Sequence, residues 1–168
     1  MTKVFALHGG LFLTANDLRR DMGHPKWVDY YLEGHDYRDL YYQIQAVTSE
    51  DVVLVGYSEG GSVVAELTWL LDNISGVVLY ESPSLRAHTV YGNFPVMWIR
   101  NDYKAWWWRE EEFDDTLLMW SKEHTITHLK GQGRHARWRL GWPPVTHAWD
   151  RSLNPKIEQF IAGLKDGK

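Results

Sequence analysis

The chain contains no cysteine. Disulfides, thiolate-bound metals and a cysteine nucleophile are excluded before any other residue is considered. Long apolar runs are missing too. None approaches the roughly 18–20 residues that a membrane-spanning helix needs, so no membrane span is expected. Charge of one sign is scarce. The 168 residues carry 18 Lys plus Arg against 22 Asp plus Glu, a net charge of −4. That balance leaves no overall basic footprint for nucleic acid and no polybasic segment for an anionic membrane. The opening MTKVFALHGG passes from a short apolar run straight into glycines. It lacks the length and cleavage pattern of a secretory signal, which points to a cytoplasmic protein. The eight histidines, at 8, 24, 35, 88, 124, 128, 135 and 147, show no H-E-x-x-H or comparable spacing. No catalytic metal is expected from them, and no cofactor is implied.

What remains is an ordinary globular composition, 44% hydrophobic and 24% charged, with an unusual ten tryptophans. The length suits a single domain spanning 1–168 with a real core. Indole buries much area and keeps one donor, so most tryptophans belong in the core or a pocket wall. The run at 106–108 is harder to hide completely. It can line an apolar cleft or lie at a contact surface.

Four short runs, VFAL (4–7), VVLV (52–55), VVLY (77–80) and VMWI (96–99), are apolar without alternation. Such runs suit strands buried on both faces, as in a parallel sheet covered by helices. WVDYYL (27–32) and TITHLK (125–130) are weaker strand candidates. Helical patterns fall between them. Thr14 with Asp17 has capping-box form. Asp36 can cap a helix whose apolar face is Tyr37, Leu40, Tyr41 and Ile44. Val63, Val64, Leu67, Leu70 and Leu71 mark another stripe, and Phe113, Leu117 and Trp120 a further one. The last helix is expected to open with Asn154 as cap and Pro155 at its first position, burying Ile157, Phe160, Ile161 and Leu164. Alternation of this kind predicts a three-layer α/β/α fold with a mostly parallel sheet of about six strands. The least regular segments, 82–94 and 131–153, follow strands at their C-terminal ends, where open α/β sheets bind ligands.

One strand-to-helix corner carries chemistry. Gly56-Tyr57-Ser58-Glu59-Gly60 matches G-x-S-x-G, between a buried strand and a helical stripe. A nucleophile at such a corner takes a strained backbone, and glycines at 56 and 60 relieve the crowding. The helix N-terminus favours developing negative charge. A phosphate-cradling turn is the plainer reading, but G-x-x-x-x-G-K-[ST] is missing and Glu59 would repel a phosphate. His8-Gly9-Gly10 follows the first strand, and its glycines let backbone approach a substrate oxygen. The backbone N–H of Glu59, paired with that of Gly10 or Leu11, would form an oxyanion hole. His8 itself is expected to order the loop rather than to transfer protons.

HGG after the first strand, GYSEGG at the turn, a later strand ending in Asp and a late histidine together resemble the α/β-hydrolase fold family. The resemblance runs from residue 4 to about 164. The short chain implies a minimal member that lacks the first two family strands and a cap domain. It further implies a triad in the order Ser, acid, His. Asp102, after VMWI, matches the acid, with Glu81 after VVLY as alternative. His135 in GQGRHARW or His147 in PPVTHAWD matches the base. Tyr57, Trp106 and Trp107 are placed near substrate, although the tryptophans could instead pack under the following helix. The implied activity is hydrolysis of a small carboxylic ester or thioester by Ser58, Asp102 and His135 through an acyl-enzyme. A silent relative binding a small ligand or partner in the same cleft is the rival. Amide hydrolysis, peptidase action or peroxide-assisted oxidation would keep the fold and change the reaction. A dimer partner could cover the open cleft.

Overall fold

The four continuous apolar runs form the four central strands of one sheet, and the two weaker candidates form its edges. The computed structural model describes residues 1–10, 14–80, 90–101, 126–131 and 149–166. Within them the order is β1 (Lys3–Leu7), α1 (Ala15–Asp21), β2 (Tyr30–Leu32), α2 (Tyr37–Val47), β3 (Val52–Tyr57), α3 (Glu59–Leu67), β4 (Ile74–Tyr80), β5 (Val96–Asn101), β6 (Ile126–Gly131) and α4 (Asn154–Asp166). The sheet runs β2-β1-β3-β4-β5-β6, and every pairing is parallel. Parallel strands need crossovers, and here the crossover helices cover both faces.

Strand alternation divides the apolar residues into two cores. On one face Phe5, Leu7, Val52 and Leu54 meet Leu40 and Ile44 of α2 and Val63, Val64 and Leu67 of α3. On the other, Val4, Ala6, Val53 and Val55 meet Leu18 of α1, Met22 beyond it, and Ile157 and Ile161 of α4. Leu40 and Ile44 are fully buried, each contributing about 1.5–3 kcal/mol. Tyr37 and Tyr41 complete the expected stripe as half-buried neighbours of this core.

The helix starts follow their capping residues. Thr14 and Asp17 form a reciprocal capping box on α1. Asp36 accepts the Arg38 N–H at 2.8 Å at the head of α2. Two expectations are corrected. Asn154 is not a cap: a 3-10 turn over Arg151–Leu153, capped by Asp150, leads straight into α4. Asn154 instead accepts from Trp149 Nε1 at 2.7 Å and donates to Met22 O at 2.8 Å, so tertiary partners claim its amide. Leu70 is 41% exposed, because α3 ends at Leu67 and the following turn swings it outward. The helix expected around Phe113, Leu117 and Trp120 lies outside the described residues. Among the described residues no helix is long and apolar enough to cross a membrane.

Candidate active site

The chain leaves β1 towards β2 on one side and leaves β3 towards β4 on the other, so the order in which strands are added reverses between β1 and β3. Crevices at such reversals, beyond the strand C-termini, are where open α/β sheets hold ligands. The register pairs Leu7 with Gly56. It therefore brings the next residues, His8-Gly9 and Tyr57-Ser58, side by side at the mouth of that crevice.

Ser58 has φ 55° and ψ −127°, a backbone conformation that side-chain-bearing residues rarely adopt. Its N–H donates to Tyr80 O at 2.8 Å, and its carbonyl accepts from Gly61 N at 2.9 Å. These two bonds tie the corner to β4 behind it and to α3 ahead. The side chain makes no capping bond to α3 and is half-buried. Close approach explains the flanking glycines. A Cβ on Gly56 would lie 2.6 Å from Gly61 Cα, and one on Gly60 would lie 2.7 Å from His8 O. Both would strike backbone, which cannot swing aside. Gly9 touches the serine directly: a Cβ there would sit 2.5 Å from Ser58 Cβ and 3.1 Å from Ser58 Oγ.

Two backbone N–H groups follow this corner's residues in the chain, Glu59 after Ser58 and Gly10 after Gly9. Glu59 is the first residue of α3, so its N–H has no acceptor within the helix. Gly10 follows Gly9 with φ 47°, in the left-handed region that glycine tolerates. His8 is buried. Its Nε2 accepts the Gly34 N–H at 3.1 Å, which leaves Nδ1 to donate to Gly9 O at 3.2 Å. Glu33 Oε1 stands 3.4 Å from the same Nε2, and the His35 ring meets His8 edge-on at 4.6 Å. This tether was not readable in the sequence, since its partners lie 26 positions apart.

Beneath the corner, Tyr57 is 3% exposed and packs 6.0 Å from Tyr80 and 6.2 Å from Trp149, ring centre to ring centre. The residue expected beside substrate thus forms the floor under Ser58. Trp149 stacks on Tyr80 at 4.2 Å, and the Asp150 N–H donates to Tyr80 Oη at 2.6 Å. Nothing in the sequence marked Trp149 as an anchor, because its stacking partner is far away along the chain. In the chain Glu81 and Asp102 directly follow β4 and β5, which run parallel to β3 and end on the same sheet edge. They lie outside the described residues, as do Leu11, Trp106, Trp107, His135 and His147. Among the described residues the large electrostatic shift falls on β2: burial pushes the Tyr31 hydroxyl up to about 12, with Arg19 opposing it in part.

No family model matches the chain, and no curated protein does. Solved structures do. A protein of Agrobacterium vitis described as a hydrolase superposes with a TM-score of 0.53 at 13% identity, over 97% of this chain and 87% of that one. A bromoperoxidase from Bacillus anthracis gives 0.50 at 14% identity, over 99% and 93%. At such identities the likeness speaks for the fold alone. Together with the parallel sheet and the serine corner, it identifies the architecture: the chain has the α/β-hydrolase fold.

Proposed function

We propose that the protein is a serine hydrolase that cleaves small carboxylic esters or thioesters through an acyl-enzyme. The observation that carries this reading is the strained Ser58 at the junction of β3 and α3, with Gly9 packed against its side chain. The Ser58 side chain makes no cap bond that would account for the strain, and strain of this kind clusters where function needs it. In the proposed reaction a histidine takes the Ser58 proton as Oγ attacks the substrate carbonyl. The Glu59 and Gly10 N–H groups hold the oxyanion. The same histidine returns the proton to the leaving alcohol or thiol. It then activates water to release the acid. Asp102 would accept the imidazole N–H and fix its tautomer. Trp106 and Trp107, soon after Asp102, would wall the acyl side.

The base is His147 or His135, and the placement of Trp149 favours His147. His147 precedes Trp149 by two residues, and Trp149 stands beside Tyr57 at the serine corner. His135 follows β6, three strands from β3. That is about 14 Å at the usual strand spacing, close to the full reach of the four residues from Gly131 to His135.

The test is intact-mass detection of a fluorophosphonate adduct, with hydrolysis of p-nitrophenyl acetate alongside. One adduct on Ser58 is expected in the wild type. His147→Ala should lower kcat by about 10⁴-fold or more, and Asp102→Asn by about 10⁴-fold. If His135→Ala brings the larger loss, His135 is the base. If Glu81→Gln replaces Asp102→Asn as the damaging change, the acid is Glu81. A folded wild type that takes no adduct and turns over no ester would leave the ligand-binding reading in its place.

A further inference from the structure

The Gly9–Gly10 peptide is a single planar unit. Its carbonyl oxygen belongs to Gly9, and its N–H is the Gly10 donor proposed for the oxyanion. In a trans peptide these two groups point in opposite directions across one plane, so whatever holds the oxygen also aims the N–H. The structure gives the oxygen a holder: His8 Nδ1, at 3.2 Å. The imidazole is itself held from behind by the Gly34 N–H on Nε2, at 3.1 Å. The turn after β2 reaches the far end of the same loop as well, where Glu33 Oε2 accepts the Ala15 N–H at 2.8 Å. At that end the reciprocal Thr14–Asp17 box fixes the start of α1.

We propose that His8 is a positioning residue for the oxyanion donor, and that the Glu33–Gly34 turn is the post to which it is tied. The Gly34 N–H needs a lone pair on Nε2, and so favours the His8 tautomer with its proton on Nδ1. That tautomer turns the Gly9 carbonyl towards the imidazole and the Gly10 N–H towards the serine crevice. His8 touches no substrate. It acts through one peptide plane, and residues 33 and 34 keep both ends of the loop at a set distance from β2. The positive φ of Gly10 lets the chain turn away immediately after this plane is set. The inference rests on the reading of Gly10 as an oxyanion donor.

Two measurements test it. Nitrogen NMR of the ¹⁵N-histidine-labelled wild type, at a pH where the imidazole is neutral, should show His8 protonated at Nδ1. An Nε2-protonated ring would overturn the tether whether or not the protein is an enzyme. The second is p-nitrophenyl acetate kinetics, counted per serine titrated by fluorophosphonate so that misfolded protein drops out. His8→Phe keeps a ring and loses both bonds; His8→Asn keeps a donor near the Nδ1 position. We expect His8→Phe to lower kcat about 10–100-fold with KM nearly unchanged, and His8→Asn to recover part of the loss. If His8→Phe does not fold, His8→Asn alone should still fall between wild type and the lower bound. Wild-type kcat per titrated serine in the folded variants would overturn the proposal. A wild type with the expected tautomer that neither labels nor turns over would instead overturn the hydrolase reading, and with it any catalytic meaning of the tether.

Discussion

Replacing Ser58 with alanine is expected to lower ester turnover by about a millionfold, because removing a triad nucleophile disables the whole unit rather than one contribution to it. What remains is the small acceleration that the oxyanion donors and substrate binding supply by themselves. The fold should be unaffected. Alanine carries the same Cβ into the same φ of 55°, so the backbone strain stays as it was. Ser58→Gly separates the two roles. It removes the nucleophile and also the strain, worth about 1–3 kcal/mol, against about 0.5–1 kcal/mol of glycine chain entropy. It should therefore be inactive and more stable than the wild type by about 1 kcal/mol, read from the denaturant midpoint. Turnover in Ser58→Ala within an order of magnitude of the wild type would remove Ser58 from the mechanism.

Gly60→Ala should be the most damaging single methyl in the described part of the chain. The added Cβ meets the backbone of Leu7, the last residue of β1, and of His8 just beyond it, at the base of the segment that carries Gly9 and Gly10. Neither a rotamer change nor a flexible side chain can relieve the contact. α3 must move away from β1, or the corner must unwind, at a cost of about 3 kcal/mol. Either response parts the Glu59 N–H from the Gly10 N–H, so the fraction that folds should also lose activity. Gly163→Ala is the matching control. It lies within α4, on an exposed face, with nothing within 4 Å of a Cβ. There the same methyl should stabilise by about 0.5–1 kcal/mol. Urea melts of the two variants should move in opposite directions, and a neutral Gly60→Ala would mean that the corner is not packed as described.

The parts of this fold that could be read from sequence are those set by neighbouring residues. Thr14 and Asp17 are three apart and cap one helix between them. Leu40 and Ile44 repeat at the helical period, and VVLV lacks the polar alternation of a half-exposed strand. The serine corner was legible from its local G-x-S-x-G spacing, although only the crowding at Gly56 is local, that at Gly60 coming from Leu7 and His8. Misreadings came where distant partners outbid local preference. Asn154 has a capping side chain, but Trp149 and Met22 take both ends of its amide while Asp150 starts the helix instead. In WVDYYL only Tyr30–Leu32 pair as a strand, whereas Trp27 and Val28 pack from the preceding turn into the core. His8 bonds the carbonyl of Gly9 in its own loop, but its second partner, Gly34, could be found only once β2 lay beside β1.

The position of β1 between β2 and β3 has a consequence for how the protein is made. Phe5 pairs with Tyr30, but Val4 must also pair with Val53. As the chain leaves the ribosome, the first crossover unit, β1-α1-β2, can close early, leaving one edge of β1 unpaired. That edge stays open to any other strand until β3 has been synthesised, and long-range parallel pairing of this kind is slow. Ser58 and the His8–Gly10 segment sit on opposite sides of this seam. The serine corner therefore takes shape only after that edge has closed, and a slowly translated stretch before Val52 would lengthen the exposure of β1.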